Sequence, residues 1–115
     1  MERYEFVVLV NPAEGMDEQF NEWYMRTHLP DVLKVPGFVS GQRFEIAHAQ
    51  TRKAKPPYPW KYMTVFQVET DDLQGSLDEL MARAHTPAMQ MSPALGDRMA
   101  FAFKPITGVI PRTEV

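Results

Sequence analysis

Phe20–Phe38 reads FNEWYMRTHLPDVLKVPGF, and its spacing decides how the chain begins to fold. Phe20, Trp23, Tyr24, Thr27 and His28 fall at i, i+3, i+4, i+7 and i+8, so one helical stripe carries three aromatic rings and ends in an imidazole. Most of such a stripe is core. Pro30 has no N–H and its ring crowds the preceding turn, so a break or kink is expected beside His28. Irregular backbone there leaves room for a cavity. His28, with Asp31 three residues on, is therefore the expected chemical centre of a small domain that needs neither metal nor cofactor.

On the N-terminal side, Tyr4–Val10 (YEFVVLV) is β-branched and aromatic with both alternating faces apolar, as in a strand covered on both sides. Asn11-Pro12 stops it, and Asp17 with Glu18 favours the start of the first helix. That helix runs to about His28, kinks at Pro30, keeps one turn through Asp31–Lys34 and stops at Pro36-Gly37.

On the C-terminal side, Phe38–Ala47 (FVSGQRFEIA) alternates Phe38, Ser40, Gln42, Phe44 and Ile46 against Val39, Gly41, Arg43 and Glu45. One face is mixed, as expected of a strand beside a pocket, and Gly41 marks a bulge or a close backbone approach. Residues 48–59 are rich in proline and basic residues and form a loop long enough to need a reason: a lid, an interface arm or a connector. Trp60–Glu69 resumes strand alternation. Leu73, Leu77, Leu80, Met81 and Ala84 then line one face of a second helix, capped by Asp71 or Asp72, weakened at Gly75 by about 1 kcal/mol and ending near His85. Arg98–Lys104 (RMAFAFK) is the last strand, and the tail Pro105–Val115 can lie as an arm on a partner.

The order is β-α-β-β-α-β, a ferredoxin-like α+β fold in which a four-stranded antiparallel sheet carries two helices on one face. Phe6 or Val7, Phe44, Tyr62, Phe66, Phe101 and Phe103 cannot all point at two short helices. An uncovered apolar sheet face marks an interface, so a homodimer packed sheet to sheet as a barrel is expected.

The chain has 115 residues, 44% hydrophobic and 23% charged, which suits one domain over residues 1–115. Without cysteine there is no disulfide, thiolate zinc site, iron–sulfur cluster or thiol nucleophile. The start of the chain lacks a basic region and a cleavage pattern, and no apolar run reaches the roughly 18 residues of a membrane span. A cytoplasmic protein is expected. A net charge of −3 gives no reason to bind a polyanion, so neither nucleic acid nor membrane is an expected partner.

The order of elements, with F-N-x-W-Y-x-x-x-H-L-P-D-V-L-x-V-P-G-F at Phe20–Phe38, resembles the dimeric α+β barrel superfamily, and within it EthD-type domain proteins. The architectural resemblance spans nearly the whole chain, the motif only Phe20–Phe38. It implies a pocket in each subunit between sheet and helices, often working without metal or flavin, with His28 as the helix-end histidine and Asp31 and Tyr24 beside it. The superfamily includes isomerases, polyketide cyclases, cofactorless and haem-degrading monooxygenases, and proteins without an assigned reaction, so the fold does not choose a chemistry.

A histidine at a helix C-terminus is favoured as the cation, and Asp31 would raise its pKa further. That suits a proton shuttle on an enolisable carbonyl compound, with Tyr24 and Arg43 stabilising negative charge. The alternative is that His28 caps carbonyls, Tyr24 is a core ring and Arg43 lies at a solvated edge. Phe20, Trp23, Phe44, Trp60 and Tyr62 are the expected substrate-binding residues, with core or dimer packing as the alternative. His28, His48 and His85 lack metal-ligand spacing. Three functions remain: a cofactor-free isomerase, cyclase, dehydratase or decarboxylase acting on a small apolar aromatic or polyketide-like compound; a cofactorless or haem-type monooxygenase; and a non-catalytic metabolite-binding or accessory dimer.

Overall fold

The computed structural model describes Met1–Thr113; Glu114 and Val115, the end of the expected arm, lie outside the described residues. Strand β1 is Glu2–Pro12, helix α1 Asp17–Trp23, a π turn Tyr24–His28, helix α2 Leu29–Val32, strand β2 Phe38–Glu45, strand β3 Tyr62–Thr70, helix α3 Leu73–Arg83 and strand β4 Leu95–Phe103. All strand pairs are antiparallel in the order β2-β3-β1-β4, which is the ferredoxin-like α+β arrangement. The chain is only 19 Å deep, enough for one sheet and one helical layer.

Register sorts the strand side chains. Val10 pairs with Tyr62 and Arg98, Val8 with Thr64 and Ala100, and Phe6 with Phe66 and Ala102, and these residues face the helices. Val7 pairs with Val65 and Phe101, and Leu9 with Met63 and Met99, on the opposite face. Tyr62 and Phe66 therefore belong to the core, and the surplus apolar surface comes from their strand neighbours. Phe101 and Phe103 remain 56% and 55% exposed there, which leaves that face without cover in one chain.

Simple alternation fails in β2. The ladder shifts between Phe38 and Ser40, so Val39 is an extra residue. Phe38 enters the core against Phe66 and Phe6, whereas Ser40, Gln42 and Phe44 turn to the outer face opposite Gln67, Val65 and Met63. Gly41 is a close approach rather than the bulge: a Cβ there would stand 2.9 Å from the Phe66 ring and 3.0 Å from Leu29.

Helix α3 is capped by Asp72, whose carboxylate accepts from the Gly75 N–H at 2.9 Å. Val32, Val35, Phe38, Phe66, Val68 and Met89 form one buried cluster under α2 and α3. Val10, Phe20, Tyr24, Tyr62 and Ala94 form a second under α1 and the π turn.

Candidate functional site

Pro30 widens its helix rather than ending it. Its ring would crowd the Arg26 carbonyl and it cannot donate an N–H, and the chain answers with an i→i+5 bond from the Leu29 N–H to the Tyr24 carbonyl. The helix then continues to Val32. His28 thus lies inside a helical run and not at a C-terminus. The π turn also sets its neighbours: residues five apart lie about 140° apart around an α-helix, yet Trp23 stacks on His28 at 4.6 Å and 22°. Tyr24 meets the imidazole edge-on at 4.9 Å. The Trp23 indole N–H donates to the Gln90 carbonyl at 3.0 Å, tying this turn to the connector before β4.

His28 lines a cavity of about 120 Å³ between sheet and helices. Its walls come from Phe6, Val8 and Val10 of β1, Leu80 of α3 and Ala84 just past its end, Met89 and Met91 of the connector, and Ala100 of β4. The short side chains of Ala84 and Ala100 are one reason the space is not filled. His28 Nδ1 is buried without a hydrogen-bond partner.

The electrostatics reverse the sequence expectation. Burial lowers the His28 pKa to about 4; the Asp31 charge raises it less than burial lowers it, and the Arg98 guanidinium lowers it further. At neutral pH His28 is an uncharged imidazole. Asp31 faces Lys34 at 3.8 Å and does not bond to His28 Nδ1. Burial pushes the Tyr24 phenol up, opposed by the Thr64 hydroxyl and the Arg43 guanidinium.

Arg43 stands behind Tyr24 rather than in the cavity. Its guanidinium covers the Tyr24 ring at 4.7 Å and the Phe20 and Tyr62 rings at 5.6 Å, and one Nη donates to Asn21 Oδ1 at 2.7 Å. Phe20 is fully buried and supports Tyr24 from below. Phe44, Trp60 and Tyr62 border a separate hollow of about 490 Å³ under the 46–60 segment. Of the expected residues, His28 and Tyr24 meet at the cavity, Trp23 backs His28, and Phe44 and Trp60 lie elsewhere.

Arg98 also lines the cavity, and the sequence reading gave it no role. The available signal was the RMAFAFK alternation, which sets Arg98 on the same side as Ala100 and Ala102. Among the described residues no group of three His, Asp or Glu side chains is arranged to hold a metal ion. No helix among the described residues is long and apolar enough to cross a membrane.

A buried neutral imidazole makes folding sensitive to acid. The unfolded chain binds the proton near the ordinary pKa of about 6.5 and the folded chain only near 4, so stability is complete above about pH 6.5 and falls between these values. The expected loss is up to about 3 kcal/mol at pH 4. Urea midpoints at pH 7.5 and 4.5 should therefore fall further in the wild type than in His28→Leu; equal falls would contradict the burial of His28.

No family model matches the chain, and no curated protein matches it. Solved structures do. A haem degrader of Mycobacterium tuberculosis, with two haems in its active site, superposes at a TM-score of 0.62 and 14% identity, over 92% of this chain and 98% of that one. A dimeric ferredoxin-like protein of unknown function from Thermobifida fusca gives 0.53 and 12%, over 90% and 92%. An ethyl tert-butyl ether D (EthD) family protein of Bacillus halodurans gives 0.51 and 16%, over 92% and 100%. At these identities the likeness is one of fold: the chain has the ferredoxin-like α+β fold of these proteins, the EthD family protein among them.

Proposed function

We propose that the cavity beside His28 binds a small, largely apolar carbonyl compound and that His28 is the base in a cofactor-independent proton transfer. The observation that carries this reading is an uncharged imidazole that borders an apolar cavity and whose buried Nδ1 has no hydrogen-bond partner. An imidazole with a pKa near 4 is almost wholly in its base form at neutral pH. It is a weak base until negative charge develops beside it. An enolate in the cavity would supply that charge, with the Tyr24 phenol as hydrogen-bond donor and Arg43 acting through the Tyr24 ring.

Size limits the ligand. An apolar cavity of about 150 Å³ accepts benzene, and this one, at about 120 Å³, suits a single ring or a short branched chain. A porphyrin does not fit it, so this geometry gives no support to a haem-type monooxygenase.

The outer sheet face supports a homodimer as part of the same reading. Val7, Leu9, Phe44, Met63, Val65, Met99, Phe101 and Phe103 share that face. A second copy would cover it and leave each cavity on the helical side.

Deuterium exchange at the α-carbon of acetophenone, followed by NMR in the protein's presence, tests the reaction. The wild type should accelerate exchange, and His28→Gln should lose about 100-fold or more of that acceleration while still binding toluene. Equal acceleration by both proteins would remove His28 as the base. Binding without any exchange favours the non-catalytic reading, to which the weak basicity of His28 also points.

A further inference from the structure

We propose that the cavity takes a small apolar acid, its carboxylate held by Arg98 at the rim and its apolar body seated beside His28. This rests on reading the cavity as a ligand site and adds the class of ligand. Arg98 pairs with Val10 in the sheet, so it projects to the helical side, where it borders the cavity. Its neighbours along that side of β4 are Ala100 and Ala102, too short to cover a guanidinium. Among the described residues no carboxylate pairs with Arg98.

The remaining lining narrows the choice. Apart from His28, Arg98 and the Tyr24 phenol, the walls are hydrocarbon and methionine. No Asp or Glu borders the cavity, so an amine or other cation would meet only a positive charge. The chain as a whole carries a net charge of −3, so a lone arginine here is not part of a generally basic surface. A guanidinium binds a carboxylate through two parallel N–H donors, a geometry that an alcohol or ketone cannot match. The ligand this wall selects is apolar at one end and anionic at the other.

Toluene, benzyl alcohol and benzoate share one ring and differ in the polar group, so NMR titration with each separates the contributions. Benzoate should bind at least tenfold tighter than benzyl alcohol. Arg98→Gln should erase that preference without changing toluene binding, and Arg98→Lys should keep part of it. Benzoate binding no tighter than benzyl alcohol, or unchanged in Arg98→Gln, overturns the assignment of an acid. Wild-type binding of toluene and benzyl alcohol without benzoate likewise overturns the acid and leaves the cavity as a site for neutral compounds. Failure of all three probes removes the cavity itself as a ligand site, and the acid with it.

Discussion

Phe101→Asp is expected to turn the proposed dimer into a monomer. Phe101 lies opposite Val7 on the outer sheet face and is 56% exposed in one chain, with Phe103 and Met99 at i±2 on the same side of β4. A face-to-face dimer of ordinary size hides about 800 Å² from each partner. A carboxylate introduced into the middle of that area loses its hydration without gaining a partner, at several kcal/mol. Each 1.4 kcal/mol is tenfold in affinity, so the dissociation constant should rise about a thousandfold above that of the wild type. Sedimentation equilibrium checks it. Phe101→Leu, which keeps the face apolar, should remain dimeric, and circular dichroism should show all three proteins folded. A wild type already monomeric at tens of micromolar would remove the homodimer from the account.

Phe20→Ala is expected to bring the chain close to unfolding. Phe20 is fully buried and touches the rings of Trp23, Tyr24 and Tyr62, with centroids at 6.3, 5.4 and 5.5 Å, and the Arg43 guanidinium at 5.6 Å. Truncating such a ring costs about 3–5 kcal/mol, because the lost transfer energy is joined by a cavity. Domains of this size have a total stability of about 5–15 kcal/mol. The loss also reaches the site: without Phe20, Tyr24 and Arg43 each lose a packing partner. The urea midpoint should drop steeply. A loss below about 1 kcal/mol would show that the aromatic cluster is not the anchor of the first helix.

Much of this was legible in the sequence because strand and helix periods are local. The Phe20, Trp23, Tyr24 and His28 stripe, the Trp60–Glu69 alternation and the Leu73, Leu77, Leu80 and Ala84 face each follow from spacing alone, and with them the ferredoxin-like order, whereas Met81, expected on that face, is 70% exposed. What spacing could not reveal depends on partners remote in the chain. The extra residue at Val39 is defined only by the β3 residues opposite it, so a two-residue period put Phe38 and Phe44 on one face when they lie on two. The π turn was hidden because Pro30 allows either a break or a widened turn, and only the packing of Trp23 on His28 distinguishes them.

The sign of the His28 shift is hidden in the sequence for the same reason. Asp31 is near in sequence and visible, whereas the burial that outweighs it comes from walls such as Leu80, Met89 and Ala100. Arg98 is exposed, and a charge at the start of a strand reads as solvated. Its meaning depends on Val10 across the ladder and on a cavity that neither segment contains by itself.

The His28 imidazole can be followed directly by NMR as pH is lowered, its ring proton assigned by disappearance in His28→Gln. A midpoint near pH 4 is the result expected of a largely buried, neutral imidazole at the wall of an apolar cavity. A midpoint at or above about 6.5, the ordinary histidine value, would mean that His28 is solvated or paired as a cation. The base proposed for this site would then not be the group described.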